Sequence, residues 1–545
     1  MRDETGIREE VEEAVAAERE ARAEAAAAKP APEVDGVSFS EKEVVDALYD
    51  NQVGDARLLT KLAYGRFCYD NGAKEWNEFA NHHWSHDGSR NMEILVDRVA
   101  DRYKIEADRK EIEAAKMTED QAAERKRTKA LADALRKRAF AMRSGNRISA
   151  VMERATAGVG SLGISGEEWD SNPTILPVAN GVVDLETGKL YPGRPEQYMR
   201  KSSPIEYHGL NAEAPTWDEV TEKSLRKSDP LLDYFGRVVG YSTTGLAAFK
   251  DFYCAYGPGG DNGKSVIFET LQHVLGSFAG TIGVATLLDE GFVRSAAGPS
   301  PDILKLRGLR MAVTSEAEQQ HKFSMAKIKA IVSGGDRIQA REPYAKRDVE
   351  FTPTHSLILH TNFLPKAKGN DRPFFKRLRV IPFRALFVQP GEAVNEAEHI
   401  YAAMPRAKLD RALADEGPGI LAYMVRNAMR LLRDMDMSAP PEVLAETKDY
   451  QEDQDLVGRF LSECCEIDGE RGTQMGVIHA AFARWCIDRE GYEENGRKKP
   501  PSLIWLSREF KNRVEIKKLQ EKPVAIYGLH VNREWLGEQQ GEVPF

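Results

Sequence analysis

The nine residues 257–265, Gly-Pro-Gly-Gly-Asp-Asn-Gly-Lys-Ser, constrain this chain more than any other stretch. Before them Phe252, Tyr253, Cys254, Ala255 and Tyr256 are aromatic or small and apolar, as a buried parallel strand requires. After them Val266, Ile267, Leu271, Val274 and Leu275 recur at helical spacing. Strand, glycine loop and helix in that order make a cradle for phosphate. Gly257, Gly259, Gly260 and Gly263, with Asp261 and Asn262 between them, let backbone N–H groups approach phosphate oxygens, and the helix adds its positive end. Lys264 is then placed for the β- and γ-phosphates of ATP and Ser265 for Mg2+. The strict pattern has glycine where this chain has Pro258, with Gly257 and Gly259 on either side, so the loop is one residue longer than usual.

A chain of 545 residues is too long for one core, which predicts about two to four domains. Charged residues make up 30% of it, and no apolar run nears the roughly 18 residues needed to span a bilayer. The acidic, alanine-rich start lacks the basic-then-apolar layout of a signal peptide, so a cytoplasmic protein with no membrane partner is expected. The five cysteines form no zinc or redox spacing, and neither disulfides nor structural zinc are expected. A net charge of -10 excludes a protein coated in basic surface but leaves room for a local basic groove.

Residues 1–35 carry almost no large apolar side chains and read as a disordered or frayed tail ending in a proline linker. Residues 36–210 read as an α-rich, mixed domain. Its Trp76, Phe79, Trp84 and the histidines His82, His83 and His86 precede a long charged helical region over 92–157, and 175–189 reads as two short strands around a turn at 186–188. The histidines have no second ligand cluster at a useful spacing and are read as structural rather than metal-binding. From 211 to 440, a helical stretch over 216–245 leads into the loop. Hydrophobic runs then recur at 311–314, 356–360 and 378–383, a pattern that predicts an α/β fold with a parallel sheet. Residues 441–545 read as helices near 453–464, 475–489 and 503–514 with a wing at 524–531, an α+β DNA-binding domain.

Each hydrophobic run after the loop ends in a polar group, and ligands of parallel sheets sit at the carboxyl ends of strands. The run from Met311 leads into Glu316 and Glu318, candidates for the metal shell and for orienting the attacking water. The next ends at Asn362, whose amide can bond both the γ-phosphate and that water. Between them, arms over 337–341 and 348–352 predict a hairpin whose tip carries Tyr344, Lys346 and Arg347, a stacking ring and two cations suited to a nucleic-acid backbone. Lys376, Arg377 and Arg379 stand just before the last strand, where an arginine can neutralise charge on a transferring phosphoryl group, in its own site or in a neighbour's. On the third C-terminal helix, Arg508, Lys511 and Arg513 are candidates for DNA contact.

This ordered set resembles the superfamily 3 helicases, and within them the phage and plasmid primase-helicases related to the poxvirus primase-helicase. The likeness is strongest over 215–383: the loop, the acidic strand, the Lys329 to Arg341 block with its Gly334-Gly335-Asp336, the Asn362-x-x-Pro365 strand end and the segment 371–383, where Lys376-Arg377 stands for the family's two arginines. It extends more weakly to 84–87 and 180–188 upstream and to 450–491 downstream, matching a winged-helix region. The resemblance implies an AAA+-like core and a hexameric ring that moves 3′ to 5′ on single-stranded DNA in a bacterial host cytoplasm, opening forked DNA. In this reading Lys264, Ser265, Glu316, Glu318 and Asn362 handle ATP and Mg2+ in cis and Arg377 acts in trans. Residues before the motor show no paired-aspartate strand, so priming is assigned to a separate primase or polymerase. An ATP-switched origin-binding initiator or loader, or a double-strand DNA translocase, are the alternatives.

Overall fold

The computed structural model describes residues 37–289, 300–315, 321–341, 348–369, 371–494, 498–511, 517–521 and 524–536. The 1–35 tail, Glu316 and Glu318, the hairpin-tip residues Tyr344, Lys346 and Arg347, and Arg513 lie outside these residues. The chain forms two compact units, one of residues 1–183 with 190–202 and one of 184–189 with 203–545.

The first unit begins with helices α1 (Glu41–Tyr49) and α2 (Asn51–Ala63). Ser40 and Glu43 form a reciprocal capping box that fixes where α1 starts. Strands β1 (Phe67–Asp70), β2 (Glu75–Ala80) and β3 (His83–His86) pair antiparallel; β4 (Gly163–Ile164) joins β1 in parallel. The charged stretch read as one helical region is three helices, α3 (Asn91–Ala115), α4 (Ala122–Ala141) and α5 (Gly145–Ala155). Their apolar faces meet in a core that includes Leu59, Val96, Tyr103, Leu135 and Val151. At its edge the fully buried carboxylate of Asp55 accepts from Tyr103 Oη at 2.6 Å, Arg138 Nη1 at 2.9 Å and Arg147 Nε at 2.9 Å, so no lone buried charge is left.

The segment 175–189 differs from its reading as two strands. It supplies β5 (Ile175–Val178) and β6 (Gly181–Asp184), separated by a turn at 179–180, while the turn at 186–188 connects β6 to a further strand, β7 (Leu190–Tyr191). Four consecutive buried residues in β5 carry no alternation, so periodicity alone does not locate its end.

The second unit opens with α6 (Pro215–Ser224) and α7 (Asp229–Thr243). Helix breaks between them because Arg226 and Lys227 take left-handed φ of 58° and 54°, and Ser228 caps the new helix with Pro230 in its first turn. Then come β8 (Phe252–Tyr256), α8 (Lys264–Leu275), β9 (Ala279–Thr281), β10 (Met311–Ser315), α9 (Met325–Ile331), β11 (Ile338–Ala340), β12 (Val349–Phe351), β13 (Ser356–Thr361), α10 (Arg372–Phe375) and β14 (Leu378–Pro382).

Five of these strands form one parallel sheet in the order β14-β8-β13-β10-β9, so the strand feeding the glycine loop lies inside the sheet. Parallel strands are buried on both faces, and β8, β10 and β13 bear this out in near-continuous burial. Strands β11 and β12 pair antiparallel, Ile338 opposite Phe351 and Ala340 opposite Val349, and form the stem of the expected hairpin.

Short strands β15 (Leu386–Val388) and β16 (Ile400–Ala402) precede helices α11 (Arg406–Asp415), α12 (Gly417–Asp434) and α13 (Pro441–Gln454). The last part holds α14 (Leu456–Cys464), β17 (Cys465–Gln474), α15 (Met475–Arg489), α16 (Leu503–Lys511), β18 (Lys517–Glu521) and β19 (Val524–Val531). The three helices pack with the antiparallel sheet β17-β19-β18 around Phe460, Phe482, Trp485 and Leu529. All five cysteines are free and buried. Among the described residues no helix is long and apolar enough to cross a membrane.

Candidate functional site

The glycine loop runs from the carboxyl end of β8 to the first turn of α8. Its greater length is wound through three successive left-handed residues, Gly259, Gly260 and Asp261, with φ of 81°, 80° and 50°. Open space surrounds the positions where a Cβ would stand on Gly259 and Gly260. Gly263 is left-handed too, at φ 83°, and a Cβ there would meet Ser224 Oγ at 2.2 Å. As N-cap of α8 it supplies no side-chain acceptor, so the helix presents first-turn N–H donors to a ligand. The neighbouring chain braces the loop: Phe387 N donates to Asp261 O at 2.8 Å, and Asn262 Nδ2 to Ala385 O at 2.9 Å.

Lys264 is 5% exposed, and its ammonium donates to Gly257 O at 2.9 Å, Asn262 Oδ1 at 2.7 Å and Asn362 Oδ1 at 3.0 Å. An ammonium has three protons, and here all three have acceptors. Burial nonetheless pushes the group down to about 8. Ser265, beside it, is exposed.

Asn362 reaches Lys264 because β13 lies next to β8, with Thr361 opposite Tyr256. Thr361 Oγ1 accepts from Phe363 N at 3.2 Å and donates to Phe363 O at 2.8 Å, a local turn that fixes the asparagine between them. Strand β10 lies on the other side of β13, with Ser315 opposite His360, so the carboxyl ends of the two strands adjoin. The structure thus brings together Lys264, Asn262, Asn362 and the glycines. An anionic ligand fits them: the loop is open, the helix start is uncapped and a cation stands at its base.

The arginine segment lies at the other end of the sheet. Phe252 N donates to Arg377 O at 2.7 Å, which sets Arg377 beside the first residue of β8, whereas the glycine loop leaves after its last. A five-residue strand separates them, roughly 16 Å at about 3.3 Å per residue. Arg377 N donates to Phe374 O and its Nη1 to Pro373 O, both at 2.9 Å, while Nε is buried without a partner. Arg379 is occupied differently: its Nη2 lies 3.0 Å from Asp251 Oδ1 and its Nη1 donates to Lys376 O and Leu378 O. Burial raises the Asp251 carboxyl above its ordinary range, and Arg379 opposes that shift.

The first unit holds the three histidines. His82 Nδ1 accepts from Gly193 N at 3.1 Å, His83 Nδ1 lies 3.0 Å from Asn81 O, and His86 Nδ1 lies 3.5 Å from Glu75 Oε2. Among the described residues no group of three or more His, Cys, Asp or Glu side chains is placed to hold a metal ion. In the last part of the second unit Arg508 is exposed on α16, and Lys511 is that helix's final residue.

Sequence reading passed over Asp251, Ala385 and Thr361. Asp251 stands just before a strand, where an acid usually meets solvent, and only the fold brings Arg379 to it across the sheet edge. The Ala385 carbonyl has no sequence signature at all. Thr361 is a β-former at the last position of β13, and its turn role appears only with Phe363 in place.

A five-stranded parallel sheet with a glycine loop, a buried lysine and an amide at adjoining strand ends is the arrangement of a P-loop NTPase core. Residues 56–225 match the family described as D5 N terminal like. The chain is 26% identical over 432 residues to a "Putative helicase" of Acanthamoeba polyphaga mimivirus, covering 74% of this chain and 43% of that protein. It is 25% identical over 389 residues to a "Putative helicase" of Frog virus 3, covering 59% of this chain and 39% of the relative. A "Putative primase" of African swine fever virus is 24% identical over 370 residues, covering 65% of this chain and 37% of the relative. The chain thus spans about two fifths of the length of these relatives. Among solved structures, the apo NrS-1 C terminal region overlaps 87% of this chain and 99% of its own, at 10% identity and a TM-score of 0.43. The chain is thus similar, through a D5 N terminal like match over 56–225 and through these viral proteins, to the superfamily 3 primase-helicases that its motifs resemble.

Proposed function

We propose that this chain is an ATP-dependent replicative DNA helicase that works as a ring, a hexamer moving 3′ to 5′ along single-stranded DNA. The observation that carries the reading is the division of the sheet: Lys264 and Asn362 meet at the carboxyl ends of β8 and β13, while Arg377 stands at the opposite end. One arginine side chain does not bridge a strand's length, which supports Arg377 serving the loop of another subunit. In this reading the chain forms an oligomer whose ATP sites lie between subunits.

In this reading Lys264 lets go of Gly257 O and Asn262 and turns to the β- and γ-phosphates. Ser265 with the acids Glu316 and Glu318 would supply the Mg2+ shell and the group that orients the attacking water, and the metal would neutralise charge on the transferring phosphoryl group. Asn362, tied to Lys264, offers its amide N–H to the γ-phosphate or the attacking water and registers whether the nucleotide is intact. The stem β11–β12 carries Tyr344, Lys346 and Arg347 to the DNA strand. The C-terminal helices and sheet have the composition of a winged helix, with Arg508, Lys511 and Arg513 toward DNA. A separate primase or polymerase completes priming.

A forked-duplex unwinding assay with ATP and Mg2+ tests the proposal. Strand displacement by the native chain, lost in Lys346→Ala while basal ATP turnover persists, is the expected result. Sequence-selective duplex binding without displacement would select an ATP-switched initiator or loader instead, and ATP-driven movement along intact duplex a double-strand translocase.

A further inference from the structure

Lys329 belongs to the block that precedes the hairpin, yet the site just described gives it no task. It lies in α9, the helix that leads through Gly334 and Gly335 into the stem strand β11. Both glycines are left-handed, with φ of 66° and 105°, and a Cβ on Gly334 would meet Lys250 Cγ at 2.6 Å. The connection is therefore a tight, defined turn rather than a free linker.

The lysine ammonium lies 3.0 Å from Asp371 Oδ2 and 3.3 Å from Oδ1, with the two side chains 30% and 20% exposed. Asp371 has a second duty. As N-cap of α10 its Oδ1 accepts from Phe374 N at 3.1 Å. Helix α10 in turn holds Arg377 by both backbone and side chain, through Phe374 O and Pro373 O. One carboxylate thus takes the hairpin's leading helix on one side and the arginine's anchoring helix on the other. Beneath it Ile328, Ile331, Phe374 and Phe375 share one apolar core, and Phe323 and Phe374 lie with ring centroids 5.6 Å apart. Apolar packing is non-directional and would let the helices shift against each other; the ion pair sets their position.

We propose that the Lys329–Asp371 pair is a latch that makes the hairpin stem and the arginine segment move as one body. Displacement of the hairpin by DNA then repositions Arg377 at the neighbouring ATP site. Lys329 and Asp371 are positioning residues that touch neither DNA nor nucleotide. The inference rests on the motor reading above and adds the route by which DNA reaches hydrolysis.

The test compares ATP turnover with and without single-stranded DNA in the full chain and in Lys329→Met, Asp371→Asn and their combination. Asparagine keeps an acceptor for Phe374 N while removing the charge. The latch predicts that each single variant loses roughly fivefold or more of the DNA stimulation. Basal turnover, KM for ATP and melting temperature stay native, the double variant is no worse than either single one, and Lys329→Arg keeps the stimulation. Stimulation retained in both single variants, or losses that add in the double one, would overturn the latch alone. A joint fall in melting temperature and basal turnover would reduce the pair to a structural brace and also overturn it. If single-stranded DNA fails to stimulate the native chain, the motor reading falls and the latch with it.

Discussion

The two ends of the central sheet hold their cations in opposite ways. At the carboxyl end, Lys264 is buried and saturated, its three protons placed on groups that flank an open loop. At the amino end, Arg379 is spent on Asp251 while Arg377 rests on the carbonyl of its own short helix, and each leaves a buried Nε without a partner. A cation held only by carbonyl and amide oxygens can be exchanged for a phosphate at little cost. One paired with a largely buried carboxylate cannot, because leaving would strand the acid. Two neighbouring arginines that composition treats alike are thus held differently: Arg379 by a carboxylate, Arg377 by a backbone carbonyl.

The sharpest way to break that distinction is to remove each arginine in turn. Arg377→Ala should lower ATP turnover on the order of 10³-fold while leaving nucleotide binding and melting temperature near native. Arg379→Ala should instead destabilise the protein by about 2 kcal/mol, since Asp251 is left buried without its partner. Its sign with pH is fixed. Burial raises the Asp251 carboxyl, so in the window between its ordinary and raised values the native state binds more protons than the unfolded one. The stability deficit of Arg379→Ala should therefore shrink as pH falls through that window in thermal melts. Equal effects of the two substitutions on turnover would erase the distinction.

The loop end can be probed by pH alone. The Lys264 ammonium is lowered to about 8 by burial, and a bound phosphate would hold it protonated to higher pH. Above about 8 binding must take up a proton, so nucleotide affinity should weaken by at most ~tenfold per pH unit, read by titration of a fluorescent ATP analogue. Affinity that is flat from neutral pH upward would mean that the lysine does not meet the phosphates. A smaller effect separates two glycines: Gly263→Ala should cost more stability than the roughly 1 kcal/mol of a left-handed alanine, because it also drives a Cβ into Ser224. Gly259→Ala, with open space around it, should cost only the backbone amount.

Much of this was legible in the residues. The runs that became β8, β10, β13 and β14 stand out because strands buried on both faces are continuously apolar. The hairpin stem was readable from two extended arms around a proline-containing tip. Edge strand β9, Ala-Gly-Thr, was not, since three small residues carry neither period nor propensity. In the site, Lys264 and Asn362 were readable as residues at ordered strand ends, but their contact depends on β13 lying beside β8 and not beside β14. Asp251 and Asp371 were silent for the same reason: a carboxylate announces its partner only when the fold brings a cation to it.

The account turns on an ATP site shared between subunits, and one mixture tests that most directly. Lys264→Ala lacks the cation of its own loop, Arg377→Ala lacks the one it would lend, and each alone should be inactive. Combined under conditions that allow subunit exchange, they should recover ATP turnover that neither has alone, because some interfaces join an intact loop to an intact arginine. No turnover at any mixing ratio, with mixed rings verified, would contradict the account.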